Sequence, residues 1–152
     1  MPNQDKAIVI RDRLIEIIGA ITQGVDYNYT IAKATADMVE PSESDNTPLA
    51  IVDAEREEYD DQTCDQLMTR AYFNIAVYDK APLDDDYQSR QGRIGLDIRR
   101  AIQRDTTLQN GANAIRAQVT GVVRSLADEE GWFSLRITVR AIYYDTYRSP
   151  GS

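Results

Sequence analysis

Chemistry at a protein site needs groups that take up a proton, hold a metal or attack a carbonyl, and this sequence offers few of them. It contains no histidine, so the commonest general base and the commonest metal ligand are both missing. The single cysteine, Cys64, excludes an internal disulfide and a cysteine-based metal cage, and one free thiol fits a reducing compartment. Cys64 sits among Asp60, Asp61 and Asp65, where negative charge disfavours a reactive thiolate. Asp60-Asp61 and Asp84-Asp85-Asp86 present oxygen ligands for a divalent cation, but the Gly and Glu spacing of a calcium loop is absent. Helix capping and solvated charge are the favoured readings of both runs. Gly92-Arg93-Ile94-Gly95 resembles the four-residue clamp of some RNA-binding folds, yet it falls inside a predicted helix. Serines and threonines have no histidine to pair with, and no glycine-rich loop runs into Lys and Ser/Thr. The 25 acidic residues permit many carboxylate pairs, which leaves a carboxylate-pair hydrolase as a minority alternative. The expectation is a protein with no catalytic residues, no metal and no cofactor.

The groups that remain suit contact between proteins. Arg136, Arg140, Arg124 and Arg116 fall on one expected outer face near the C-terminal end of the chain. A solvated or interface-facing arginine ladder is favoured there over nucleic-acid contact, because the chain carries −8 overall and lacks a concentrated basic footprint. Acidity is local: between Glu40 and Asp65, ten acidic residues face only Arg56, a balance of −9, which leaves the remainder near +1. Nine of the twelve aromatic residues are tyrosine, a side chain with an apolar body and a polar tip that suits half-wet interfaces. Tyr143 reads equally as edge-of-core packing, whereas Tyr144 and Tyr147 read as partner contacts. The candidate interface residues are therefore Arg136, Arg140, Tyr144 and Tyr147, with Glu55, Glu57 and Glu58 as acidic acceptors across an interface.

The elements that must position these groups follow from periodicity. Phe133, Leu135, Ile137, Val139, Ala141 and Tyr143 alternate with Ser134, Arg136, Thr138, Arg140, Ile142 and Tyr144, a period of two that predicts a strand with one buried face. Ile115, Ala117, Val119, Gly121 and Val123 alternate likewise, and the polar turn Ala127–Gly131 between the two runs predicts a hairpin. A first helix is expected from Asp5 to Ile21, with Asp5 as N-cap and Gly24 as stop. Tyr27 to Val39 is rich in strand formers. Pro41 to Pro48 is a loop by composition, Leu49 to Glu55 begins a strand, and Glu57 to Asp65 reads as an acidic turn region. Leu67 to Tyr78 predicts a long strand, and Asp84 to Arg104 a second helix with Tyr87, Gln91, Ile94, Ile98, Ala101 and Ile102 on one side. Gly92 and Gly95 mark close packing of that helix against the sheet.

The resulting order is α-β-β-β-α-β-β. It predicts an α+β fold, a mostly antiparallel sheet of four to five strands with two helices on one face. At 152 residues the chain is one domain, with residues 1–4 and 149–152 expected as flexible ends. Its apolar runs are too short to span a membrane, and the start at Met1–Asp5 lacks the basic and apolar regions of a signal peptide.

This order of elements resembles the tail-terminator proteins of long-tailed bacteriophages, the minor tail protein U group and its relatives. The resemblance rests on the N-terminal helix around Ile8–Leu14 and on Thr47-Pro48 before the apolar strand Leu49–Val52. It continues through the long strand Tyr72–Tyr78 and the helix Asp97–Ile102 running into Asp105–Leu108, and ends with Val119–Val122 ahead of Leu135–Tyr144. It spans Lys6 to Arg148, and the acidic connection Glu57–Gln66 has no counterpart in the pattern. The resemblance implies a virion structural protein, made in the host cytoplasm, that forms a homo-oligomeric ring of six subunits at the tail–neck junction. Such a ring ends tube polymerisation and joins tail to head: its partners are the tail tube protein and the head–tail connector, and DNA passes through its lumen without specific binding. A neck head-completion or stopper protein and a non-viral α+β interaction module are the alternatives.

Overall fold

The computed structural model describes residues 5–39, 47–60, 66–82, 86–108, 114 and 116–146. The expected flexible ends, Cys64 and Tyr147 lie outside that set. Within it the chain runs α1 (Lys6–Gly19), β1 (Lys33–Thr35), β2 (Leu49–Asp60), β3 (Gln66–Lys80), α2 (Tyr87–Gln103), β4 (Arg116–Arg124) and β5 (Trp132–Thr146). The five strands form one sheet in the order β1-β2-β3-β5-β4, in which β1 lies parallel to β2 and every other neighbour is antiparallel. This is the α+β architecture and the element order that periodicity predicts.

The last strand of the chain lies inside the sheet, not at its border. β5 pairs with β3 without interruption from Gln66↔Thr146 to Lys80↔Trp132, and with β4 on its other side. The shared register puts Phe73 opposite Val139, Ile75 opposite Ile137 and Val77 opposite Leu135, all buried on one face. Ala50 and Val52 of β2 extend the same face. α1 covers it over β1 and β2, α2 covers it over β4 and β5, and the two helices touch. Ile10, Leu14 and Ile18 of α1 and Ile94, Ile98 and Ile102 of α2 are fully buried against it. Gly95 makes the close approach possible, since a Cβ there would stand 3.4 Å from Leu135 Cδ2. Among the described residues no helix is long and apolar enough to cross a membrane.

The caps behave as their residue types require. Asp5 accepts a hydrogen bond from the Ala7 amide at 3.0 Å, and Asp86 accepts from the amides of Gln88 and Ser89 and from the Ser89 hydroxyl. Those bonds to Ser89 hold the Asp86 carboxyl below its ordinary pKa. The cap is therefore at full strength above the unfolded-state pKa and is lost only as pH falls through the lower folded value.

Four expectations are corrected. α1 ends at Gly19 with Ala20 as its C-cap, well before Gly24, because the chain turns back and the Ile21 carbonyl accepts from the Ile31 amide. The segment Tyr27–Val39 is not a long strand: only Lys33–Thr35 joins the sheet. Its amides at Asn28 and Tyr29 donate instead to the carboxylate of Asp97, at 2.9 to 3.0 Å. The expected acidic turn from Glu57 is strand as far as Asp60, continuing β2 beyond a bulge between Ala54 and Arg56. Finally, a second bulge between Val119 and Gly121 shifts the alternation of β4, so that Val122 faces Ile137 of the core side while Gly121 and Val123 pair with Thr138 and Arg136.

Asp97 is fully buried on α2 and also accepts from the Asn28 side-chain amide at 3.0 Å. Arg100 reaches the Asp26 carbonyl, Arg104 pairs with the Asp26 carboxylate at 3.1 Å, and Arg90 lies 4.6 Å from the Tyr29 ring centroid. The loop between α1 and β1 is thus stapled along α2. Two stability outcomes follow. Ile137→Ala in the centre of the core costs about 2–5 kcal/mol, read as a lower denaturation midpoint at unchanged m-value. Asp97→Ala costs about 2–4 kcal/mol because it strands amide donors and removes bonds to a charged acceptor; Asp97→Asn, which keeps the shape and one acceptor, loses less in the same urea titration.

Candidate functional site

The face of the sheet opposite the helices carries the more polar half of the β3 and β5 alternations. Register across β2, β3, β5 and β4 places Arg56, Tyr72, Arg140 and Gln118 in one row and Glu58, Arg70, Ile142 and Arg116 in the next. On the other side of the first row lie Asp53, Asn74, Thr138 and Gly121, then Ile51, Ala76, Arg136 and Val123. The helices pack on the reverse side, and the side chains of β3 on this face, from Met68 to Tyr78, are half-exposed. One corner is closed, where Leu49 and Ile51 are buried.

Charge on this face is divided. The two arginines of its β2–β3 half are paired within the chain: Arg70 with Asp60 at 2.8 Å and Arg56 with Glu58. Asp60, by hydrogen bond and Coulomb attraction, raises the Arg70 pKa. Arg56 also stacks on Tyr72, 3.9 Å from the ring centroid, and the Tyr72 hydroxyl reaches Glu58 at 3.5 Å. On the β4–β5 half, Arg116, Arg136 and Arg140 have no carboxylate partner among the described residues. The Nε of Arg140 is buried with no hydrogen-bond partner there. An unpaired donor in a half-buried setting is costly unless something outside the chain accepts from it.

The sequence-predicted residues are placed as follows. Arg136 and Arg140 flank Thr138 on the bare face, and Tyr144 shares that face with nearly half its surface exposed. Glu58 is on the same face but engaged by Arg56 and Tyr72. Glu55 occupies the β2 bulge, exposed, and Glu57 pairs across to Ala71 on the opposite face, where it accepts from the Tyr59 hydroxyl. The three acids thus point in different directions and do not act as one acceptor. Arg124 is corrected: past the β4 bulge it pairs with Leu135 on the helix side, and its guanidinium lies beside Gly92.

Two features escaped sequence reading. The buried Asp97 is legible in retrospect as a carboxylate inside the stripe Ile94, Ile98, Ala101 of α2. The second is Asp79, buried and bonded to Arg90 at 2.6 Å, beside an open cavity of about 560 Å³ that Thr47, Pro82 and Glu130 also line. Its carboxylate is balanced by Arg90. Among the described residues no group of three or more Cys, Asp or Glu converges for a metal: Asp60 serves Arg70 and Asp86 caps α2, while Asp61, Asp84 and Asp85 lie outside the described set. No protein-family model matches the chain, and no curated protein shows significant similarity to it.

Because Arg136 has no acidic partner to lose, Arg136→Glu changes stability by less than about 0.5 kcal/mol, the range for surface sites away from special contacts. Arg70→Glu faces Asp60 with a like charge and lowers the melting temperature. Thermal unfolding of the two variants side by side checks this contrast.

Proposed function

We propose that this chain is a structural assembly subunit, not an enzyme, and that it works as a tail-terminator-like ring at the head-proximal end of a phage tail tube. The observation that carries the reading is the sheet face opposite the helices, with three arginines, Arg116, Arg136 and Arg140, that have no carboxylate partner among the described residues, in a chain whose net charge is −8. Cations left unpaired on a flat, half-wet face serve recognition better than stability, since an exposed pair adds little energy but fixes register and orientation. Support also comes from the likeness of its α-β-β-β-α-β-β order to the terminator pattern. In this reading the ring stops tube growth, its two stacking faces meet the tube protein and the head–tail connector, and DNA crosses the lumen. Acidic residues toward such a lumen discourage DNA from adhering.

The test is complementation in a tailed phage lacking this chain, joined to native mass spectrometry of the purified protein with and without tube protein. Wild-type chain restores joined particles. The double variant Arg136→Glu, Arg140→Glu stays folded and yields tails of irregular length or unjoined heads and tails. Normal infectious particles from the double variant would remove this face from the function. Heads that package but leak, with normal free tails, would favour the neck stopper instead.

A further inference from the structure

The two borders of the sheet are unequal and complementary. β1, three residues long and carrying Lys33, covers β2 only over Leu49–Ile51. From Val52 to Asp60, β2 pairs with β3 on one side and with no described strand on the other. At the far border, β4 pairs with β5 and with no other described strand. Open edges of this length template the addition of another strand, and soluble proteins usually blunt them with short strands, lysine or proline. β1 is defended in that way; β4, Arg-Ala-Gln-Val-Thr-Gly-Val-Val-Arg, has neither lysine nor proline. A bulge at Thr120 divides it, and on the first stretch the Ala117 amide already donates to the Thr106 carbonyl at 2.6 Å, so the open stretch is Gly121–Arg124.

Composition and exposure give the two edges opposite character. The open stretch of β2 holds Asp53, Glu55, Glu57, Glu58 and Asp60 against Arg56 alone, whereas β4 holds Arg116 and Arg124 and no acid. Large apolar side chains are exposed at both: Tyr59 at 58% on β2, and Val123 at 67% and Leu126 at 81% on and just beyond β4. Direction matches too. Three successive antiparallel pairings separate β2 from β4, so the two edges run in opposite senses. A neighbouring copy turned about an axis roughly along the strands keeps its direction and meets this β4 with an antiparallel β2. Glu57 and Tyr59 of β2 and Val122 and Arg124 of β4 all lie on the helix side of the sheet, so a stagger that sets Gly121–Arg124 against Glu57–Asp60 of the next copy brings Arg124 beside Glu57 and Val122 beside Tyr59.

We infer that the chain self-associates edge to edge, β4 of one copy adding to the Val52–Asp60 stretch of β2 in the next. The contact is heterologous, with different surfaces on the two copies, and such contacts repeat until the rotation closes a ring. Closure rests on the ring reading above; the pairing itself rests on the two edges. The bare arginine face is then carried on a continuous sheet and left free for a different partner.

Sedimentation velocity on the isolated chain tests the pairing. Wild type self-associates at micromolar concentration. Arg124→Glu and, separately, Glu57→Arg each weaken the association about tenfold, the loss of one close charge pair, with unchanged circular dichroism. The chain carrying both changes recovers it, which a folding defect would not do. Hydrogen exchange supplies the backbone readout: amides of Gly121–Arg124 and Glu57–Asp60 exchange more slowly in wild type than in Arg124→Glu. Oligomers that ignore both substitutions overturn edge pairing and leave the ring reading to another interface. A wild-type chain that stays monomeric alone overturns edge pairing, and its assembly or failure to assemble on tube protein then decides the ring reading separately.

Discussion

The antiparallel ladder between β3 and β5 is the constraint from which the rest of this fold hangs. It joins residues 66–80 to residues 132–146 over their whole lengths; β2 and β4 attach directly to these two, and β1 joins through β2. Because side chains alternate along a strand, the register decides everything about the two faces. As built, Phe73, Ile75, Val77, Leu135, Ile137 and Val139 all face the helices. A slip of one residue on β5 would turn Arg136 and Arg140 into that core and expose Leu135 and Ile137. The penalty for burying unpaired guanidinium groups removes that alternative.

Helices over such a face are free to slide unless something polar fixes them, and α2 is fixed at three points. Near its start Gln91 donates to the carbonyls of Ser125 and Ser134 at 3.0 and 2.8 Å, holding the base of the β4–β5 hairpin. Beside it Arg90 reaches the buried Asp79 at the end of β3. Toward its other end Asp97 gathers the amides of the α1–β1 loop. Each buried polar group is satisfied by atoms distant in sequence, so these contacts exist only when the whole arrangement does, and they select one docking of the helix among the many that burial alone would allow.

The same economy explains the surface. Where the acids of β2 stand beside Arg56 and Arg70, those pairs close charge within the chain; on β4 and β5, Arg116, Arg136 and Arg140 have no carboxylate partner among the described residues, and charge stays open. The separation of unlike charge to opposite borders of one sheet gives the molecule a direction. A surface so divided favours contact between unlike regions of successive copies over a self-complementary two-fold contact, and that is the physical sense in which an assembly reading suits this chain.

What the sequence by itself determined is whatever depends on neighbours along the chain. The alternation of β3 and β5, the apolar stripes of α1 and α2, the caps at Asp5 and the Asp84–Asp86 run, and the element order were all legible, and so was the shared face of Arg136 and Arg140. Tertiary structure alone decided what depends on distant partners. Tyr27–Val39 has strand-forming residues, but Asp97, some seventy residues away, takes the amides that a ladder would use. Glu57–Asp60 reads as a turn by its charge, yet becomes strand because β3 offers a pairing edge and Arg56 and Arg70 offset the acids. The bulge at Thr120 reverses the alternation of β4 and carries Arg124 away from the other arginines. Local pattern is written in side-chain spacing, whereas the claimant of a given amide or carboxylate is set by whichever group the fold brings within hydrogen-bonding reach.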